Sequence, residues 1–557
     1  MPKMGRHRFT LPVLLVAWIA VGSLWLAGQV SGPKDGPVAG TIANSVSGLP
    51  VASAEVALGP TGAAPKWTTK TDGEGKFRFD HVPFGKYNLQ AAKPGYARMS
   101  FGAMAVGNPG SIVAVTSDRG ATTIEFRLIP LGTIQGKVIN RRGDGAANVN
   151  IACGFVDVYG APPTMEPLRA VTDAHGEYRL SEMPPGRYYV QALPMPSATP
   201  LDKNHDDGSD LPAFYPSAGT FAEAQPISLA PGQEESGVII QLREAAVFRV
   251  RGALTGSAGT GAVSNVDLLL LPKDTTAAIQ FGQGYAELLS RSVGGSSAIR
   301  PDGTFELRRV ERGSYELAAV TVESRSRLTI GRTVIHVGDR DLEGVKVPVG
   351  EFVQLTVRLH SEENLTGVSC SILGLPVENN PTAGAIMGIT GADGTLAIDR
   401  ALPDMYAFTA KCKPGSWVVD SARIDGVAAA TDGGDSGLAL GAGAVSVTLT
   451  LSKEAGFVFA QVKEDSSPAP GRWLTLIPNP PRPGRFMHEL SGWSDDQGRL
   501  VIQNVAPGNY RLYAWRQASG AASALHPSFL QRFEQQAVPV SLKAGEQVSV
   551  EAPTIQP

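Results

Sequence analysis

One short pattern recurs five times in this chain, and it narrows what the chain can fold into more than any other feature. Its clearest copy runs Thr71-Asp72-Gly73-Glu74-Gly75-Lys76-Phe77-Arg78-Phe79, then Val82-Pro83-Phe84-Gly85-Lys86-Tyr87-Asn88-Leu89. The copies are anchored by Gly75 and Tyr87, Gly176 and Tyr188, Gly303 and Tyr315, Gly394 and Tyr406, and Gly498 and Tyr510, with the Tyr always 12 residues after the Gly. Asp72, Asp173 and Asp495 stand three residues before the Gly, where a carboxylate bonds its own backbone and Gly supplies the positive φ of a turn. Apolar residues follow at two and four positions after the Gly (Phe77 and Phe79, Tyr178 and Leu180, Phe305 and Leu307, Leu396 and Ile398, Leu500 and Ile502). A period of two is one face of a strand. A second turn comes at Gly85, Gly186, Gly313 and Gly508, and the Tyr then opens another strand. The fourth copy breaks the rule, with Asp404 in place of the second Gly. The third and fourth copies lack the leading Asp and carry Asp302 and Asp393 directly before the Gly, which predicts turns built differently. The Tyr itself reads as structural, a half-buried ring whose hydroxyl bonds nearby backbone.

A chain of 557 residues exceeds one core. The copies and their junctions predict five β units at 31–130, 131–244, 245–350, 351–453 and 454–557. Closing strands run almost directly into opening strands, as at Val238–Leu242 into Val247–Val250, so end-to-end beads with limited bending are expected. Lys and Arg (49) nearly balance Asp and Glu (52), which leaves no electrostatic case for nucleic acid. Residues 1–30 differ: Lys3, Arg6 and Arg8 precede an apolar run from Leu11 to Ala27, a signal peptide or a membrane anchor. Either puts the remainder outside the cytoplasm, in a periplasm or at a cell surface, and an anchor would make the membrane a partner. Of the three cysteines, Cys370 and Cys412 share parity with inward residues of one repeat; a disulfide and two buried thiols both fit.

No catalytic set emerges. His360-Ser361-Glu362-Glu363, with His488 downstream, has a spacing that zinc peptidases use, yet it sits where a strand gives way to a turn. Asp202, Asn204 and Asp206 begin like a calcium loop, but Asp207 takes the Gly position and Ala213 the bidentate position, so a solvated loop is expected. Around Tyr285, Leu288 and Leu289 one helical turn is expected. Neither a metal nor a cofactor is expected, and the chain reads as no enzyme. In the fifth repeat, alternation turns Tyr513 and Trp515 away from the Tyr510 and Leu512 face, and Trp493 precedes the hairpin. Exposed rings there would bind a sugar or a protein; the competing reading is that they cover a neighbouring loop.

Asp72-Gly73-Glu74-Gly75-Lys76-Phe77 with Val82-Pro83-Phe84-Gly85-Lys86-Tyr87, and Asp173-Ala174-His175-Gly176-Glu177-Tyr178 with Met183-Pro184-Pro185-Gly186-Arg187-Tyr188, resemble the carboxypeptidase regulatory-like domain. Its relatives include the Cna B-type and starch-binding-like, or carbohydrate-binding-like, folds. The likeness is strong in the first, second and fifth copies and weaker in the third and fourth. It implies an all-β chain of tandem seven-stranded Greek-key β-sandwiches, prealbumin-like (transthyretin-like); the apolar run Leu11–Ala27 adds an expected N-terminal hydrophobic helix before them. The likeness implies no activity, since in metallocarboxypeptidases this domain is an accessory. The Lys–Asn isopeptide bond of some Cna B-type domains does not carry over: Lys137 lies on an opening strand, but Val238–Leu242 offers no Asn or Asp. Two functions follow from the resemblance and the aromatics: an exported module binding a glycan or cell-envelope polymer through Trp493, Tyr513 and Trp515, or a spacer or adhesin that binds a protein partner.

Overall fold

The computed structural model describes residues 35–556 apart from 62, 104–105, 107–109, 117–121, 157–163, 196–209, 257–265, 275–279, 282–284, 295–298, 324–325, 378–381, 426–436, 480–489 and 517–529. The apolar run Leu11–Ala27, the acidic segment 202–209 and His488 lie outside the described residues.

The chain is all-β with one α-helix among the described residues. The first unit shows the plan. Strands β1 (Asp35–Asn44), β2 (Glu55–Pro60), β3 (Trp67–Lys70), β4 (Lys76–Pro83), β5 (Gly85–Ala92), β6 (Met99–Ser100), β7 (Val113–Val115) and β8 (Thr122–Leu128) form two sheets. One is ordered β4-β1-β8; the other is β3-β2-β5-β6, with β7 also on β5. The alternation of β4 drives the layering: Phe77 and Phe79 are buried while Lys76, Arg78 and Asp80 face water. Their rings share one core with Ile124 and Phe126 of the same sheet and with Val56, Leu58, Tyr87 and Leu89 of the facing sheet. The opening strand lies between the hairpin strand, antiparallel, and the closing strand, parallel. The same three-strand arrangement recurs around Gly132–Ile139, Val247–Thr255, Val353–His360 and Gly456–Glu464.

The repeated residues hold this frame by one set of bonds. Each anchoring Gly has φ between +71° and +80°. Its N–H donates to the carbonyl three residues back at 2.8–3.1 Å, and its carbonyl accepts from the opening strand (Ile42, Val138, Leu254, Leu359, Val462) at 2.7–3.0 Å. A Cβ at Gly75 would stand 2.5 Å from the Ile42 carbonyl oxygen, so the site excludes larger residues on space as well as on φ. Asp72, Asp173 and Asp495 each accept from two backbone N–H groups of their turn, at 2.8–2.9 Å. In the third and fourth units the backbone turn is the same. Only its support differs: Asp302 and Asp393 accept from Thr304 and Thr395 one residue past the Gly.

A second set of bonds escaped the sequence reading. Four residues before the Gly stands Thr71, Thr172, Thr390 or Ser494, each nearly buried, and its hydroxyl bonds the backbone of the neighbouring loop and strand. Thr172 Oγ1 donates to the Ala146 carbonyl at 2.6 Å and accepts from Val149 N–H at 2.9 Å. Thr172→Val keeps the shape and strands both partners; a loss of about 1–3 kcal/mol is expected in the second unit, read from amide exchange of Val149.

The Asp turns also carry a pH dependence. The Asp173 carboxylate is held below its usual range by backbone donors at Glu177 and then His175. A depressed folded value means stability that is present above about pH 4, the ordinary carboxylate value, and is lost as pH falls through the folded value. Asp173→Asn is therefore expected to flatten the acid limb of local stability while changing little at neutral pH, as measured by exchange of the Glu177 amide between pH 2 and 5.

The second and third units depart from separate beads. Their residues share one buried core, in which Ala152, Met165, Leu193 and Phe214 of the second pack with Tyr285, Leu289, Val293 and Phe305 of the third. Strand Gln280–Phe281 of the third unit adds in parallel to Thr164–Val171 of the second. The expected single helical turn is a ten-residue helix, α1 (Tyr285–Gly294). Tyr285, Leu289 and Val293, four residues apart, give it one buried face. The sequence hides this joint because the helix lies in an insertion outside the repeat, where periodicity shows a buried face but not whose core receives it.

Candidate functional site

The five tyrosines resolve first. Each hydroxyl donates to the carbonyl four residues back (Pro83, Pro184, Glu311, Leu402, Ala506) at 2.5–3.1 Å. Burial pushes the phenols of Tyr87, Tyr188, Tyr315 and Tyr406 upward, that of Tyr406 to about 12. A buried, satisfied phenol that stays protonated braces the second turn and has no free proton chemistry.

The aromatic set of the fifth unit is placed differently from its expected exposure. Tyr513 and Trp515 do turn away from the sandwich core, but they are 3% and 0% exposed. Leu530, Phe533, Ala537 and Ile555 close over them as a second small core. Their rings stack on each other at 5.3 Å, and Phe533 meets Trp515 edge-on at 5.5 Å. Alternation identifies the face of a strand, not what covers that face; here a later segment covers it. Trp493 remains half-buried, edge-on to Trp473 at 5.0 Å. Of the three candidates only Trp493 offers a surface to solvent.

Polar side chains concentrate instead at the joints. Between the second and third units, Tyr285 donates to Gln191 Oε1 at 2.7 Å, both side chains being buried, and Ser292 donates to the Pro194 carbonyl at 2.9 Å. Arg243 pairs with Glu311 at 2.7 Å and donates to the Pro212 carbonyl. Between the third and fourth units, Arg332 lies 2.8 Å from Asp404 and 3.7 Å from Glu316, with the three side chains 15%, 18% and 8% exposed. Arg332 also donates to the Pro403 carbonyl at 2.7 Å, and Thr382 bonds Glu316. The contact with Asp404 is a charge contact rather than an aligned hydrogen bond. Asp404 is the residue that replaces the second Gly of the repeat. The fourth copy breaks its own pattern where it meets the third unit.

Cys370 and Cys412 face each other across adjacent strands and are joined, S–S 1.98 Å, leaving Cys153 as a buried thiol that burial holds protonated. His360 and Glu362 are exposed, and Glu363 pairs with Lys453 at 2.6 Å. Among the described residues no three His, Cys, Asp or Glu side chains are grouped to hold a metal, and no helix is long and apolar enough to cross a membrane.

Residues 37–128, the first unit, match the carboxypeptidase regulatory-like domain family. No curated protein matches the chain. Among solved structures, a minor pilin of Streptococcus agalactiae is similar at 12% identity and TM-score 0.23, over 38% of this chain and 97% of the pilin. The major pilin subunit of Bacillus cereus is similar at 10% identity and TM-score 0.13, over 76% and 98%. Superpositions this partial carry no inference about what this chain does.

Proposed function

With a carboxypeptidase regulatory-like first unit as the premise, we propose that the chain is an exported, non-enzymatic scaffold of spacer or adhesin type, which presents surfaces at set angles and works through protein contacts. The observation that carries this reading is the joint at Arg332, Glu316 and Asp404. Charges buried between units add little stability, and their best-attested use is to specify one arrangement over others. The shared core of the second and third units acts in the same direction. In this reading the five units are variants of one Greek-key sandwich. The run Leu11–Ala27 directs export, or tethers the chain to a membrane where it is not cut. The cross-strand disulfide suits an oxidising compartment.

Spin labels on Ile239→Cys and Met387→Cys test the reading. Both positions are exposed, and the native cysteines are buried or bonded. A single narrow distance distribution across the two joints is expected. A broad one removes the set-angle scaffold. Glycan or cell-envelope polymer binding is the second reading, and its support is confined to Trp493. Polymer retained by the intact chain and lost on Trp493→Ala would restore it.

A further inference from the structure

A cavity of about 350 Å³ lies between the fourth and fifth units, lined by Phe408 to Lys411, Trp417 to Val419, Pro478 and Val501 to Asn504. Two of its walls are strand edges. In strand Asp404–Lys413 the Met405 carbonyl accepts from Val377 N–H at 2.8 Å. That bond sets the parity: the odd-numbered residues bond toward Ser369–Pro376, and the backbone groups of Phe408, Ala410 and Cys412 point the other way. On that side Leu438–Leu440 pairs only with Asp404–Tyr406, so beyond residue 406 the edge meets no strand among the described residues. In the fifth unit Val462 N–H donates to the Gly498 carbonyl at 2.7 Å. Gly498, Leu500 and Ile502 therefore bond toward Gly456–Glu464, and Val501 and Gln503 point outward. Among the described residues, strand Arg499–Val505 has that single neighbour and is an edge. Val501, 43% exposed, adds an apolar side chain there, while Trp417, 3% exposed, lines the cavity from the core of the fourth unit.

We propose that this cavity is a docking groove for an extended peptide of a partner protein, which adds as a strand along Phe408–Cys412 and Val501–Gln503. Two rows of backbone donors and acceptors at two-residue spacing match one ligand chemistry, the peptide backbone in β conformation. Unpaired edges of this kind pair readily with a further strand. The chain already does so within itself, where Gln280–Phe281 of the third unit extends the sheet of the second. The volume, at the low end for ligand sites, fits a few residues, with apolar side chains at alternate positions toward Val501. The groove deepens the scaffold reading by giving it a partner and rests on it.

A random heptapeptide library, selected on the full chain and counter-selected on the double variant Ala410→Pro, Val501→Pro, tests this. Proline there deletes an N–H that faces the groove and leaves the ladder bonds intact. Selected peptides are expected to carry apolar residues at alternate positions. A synthesised winner is expected to slow exchange of the Phe408, Ala410, Val501 and Gln503 amides at least tenfold, and to bind at least tenfold more weakly once N-methylated at alternate residues. The N-methyl comparison uses the unaltered chain, so it stands even where the proline variant fails to fold. No peptide preferring the parent, or a winner indifferent to N-methylation, overturns the groove. The spin-label distances need no ligand, so the groove and the set-angle scaffold can fail separately.

Discussion

Trp515→Ala is expected to cost the fifth unit about 3–5 kcal/mol, the range for emptying a buried indole site. Trp515 is fully buried between Tyr513 and Phe533, in a small core that Leu530 and Ile555 help to close. The covering segment should detach, exposing Tyr513 as well. In a chain of several units a single unfolding midpoint is not a defined quantity, so the measurement is local: amide exchange at Arg511 to Ala514 and the near-ultraviolet aromatic signal. Trp493→Ala, at a half-buried ring, is expected to stay within about 1 kcal/mol. The contrast also governs how binding data are read. A loss of ligand on Trp515→Ala would report an unfolded face, whereas the same loss on Trp493→Ala would report a contact. Unchanged exchange in Trp515→Ala would show that the small core contributes nothing, and the burial argument against an aromatic platform would go with it.

The repeat was legible because local chemistry sets it. Gly at positive φ, an Asp that bonds its own turn and period-two apolar residues each act within a few positions, and a sequence displays them directly. The parity of Cys370 and Cys412 was readable for the same reason. What stayed hidden depends on segments far apart in the chain. The covering of Tyr513 and Trp515 comes from Leu530, Phe533 and Ile555, and nothing in strand alternation points to them. The bulge six residues after the Gly, where His81, Glu182, Arg309 and Asn504 adopt φ of +57° to +67°, has no residue type in common and so no signature. The joints were hidden too, yet one left a trace. Asp404 looked like a failure of the pattern, and it proved to be the residue that meets Arg332 of the neighbouring unit. At this position the departure from the repeat marks where another contact replaces what the frame loses.

Arg332→Met makes that argument quantitative. Removing the guanidinium takes from Asp404 its 2.8 Å charge contact and from Glu316 one of its partners, and leaves both carboxylates mostly buried. Breaking a buried charge cluster in this way costs about 3–5 kcal/mol, more than the cluster itself was worth. The loss should appear at the joint: faster exchange at residues 314–318 and 402–406, and a broadened label distance between the second and fourth units. Glu316→Gln and Asp404→Asn added to Arg332→Met remove the stranded charges and are expected to recover most of the stability. They should not restore the narrow distance, because neutral amides do not impose the same geometry. That separation of stability from geometry is what distinguishes a joint that specifies an angle from one that merely adds contact. If Arg332→Met leaves both exchange and distance within error of the parent, the cluster is an ordinary surface pair with a median value near 0–1 kcal/mol, and the angles of the scaffold must be set elsewhere.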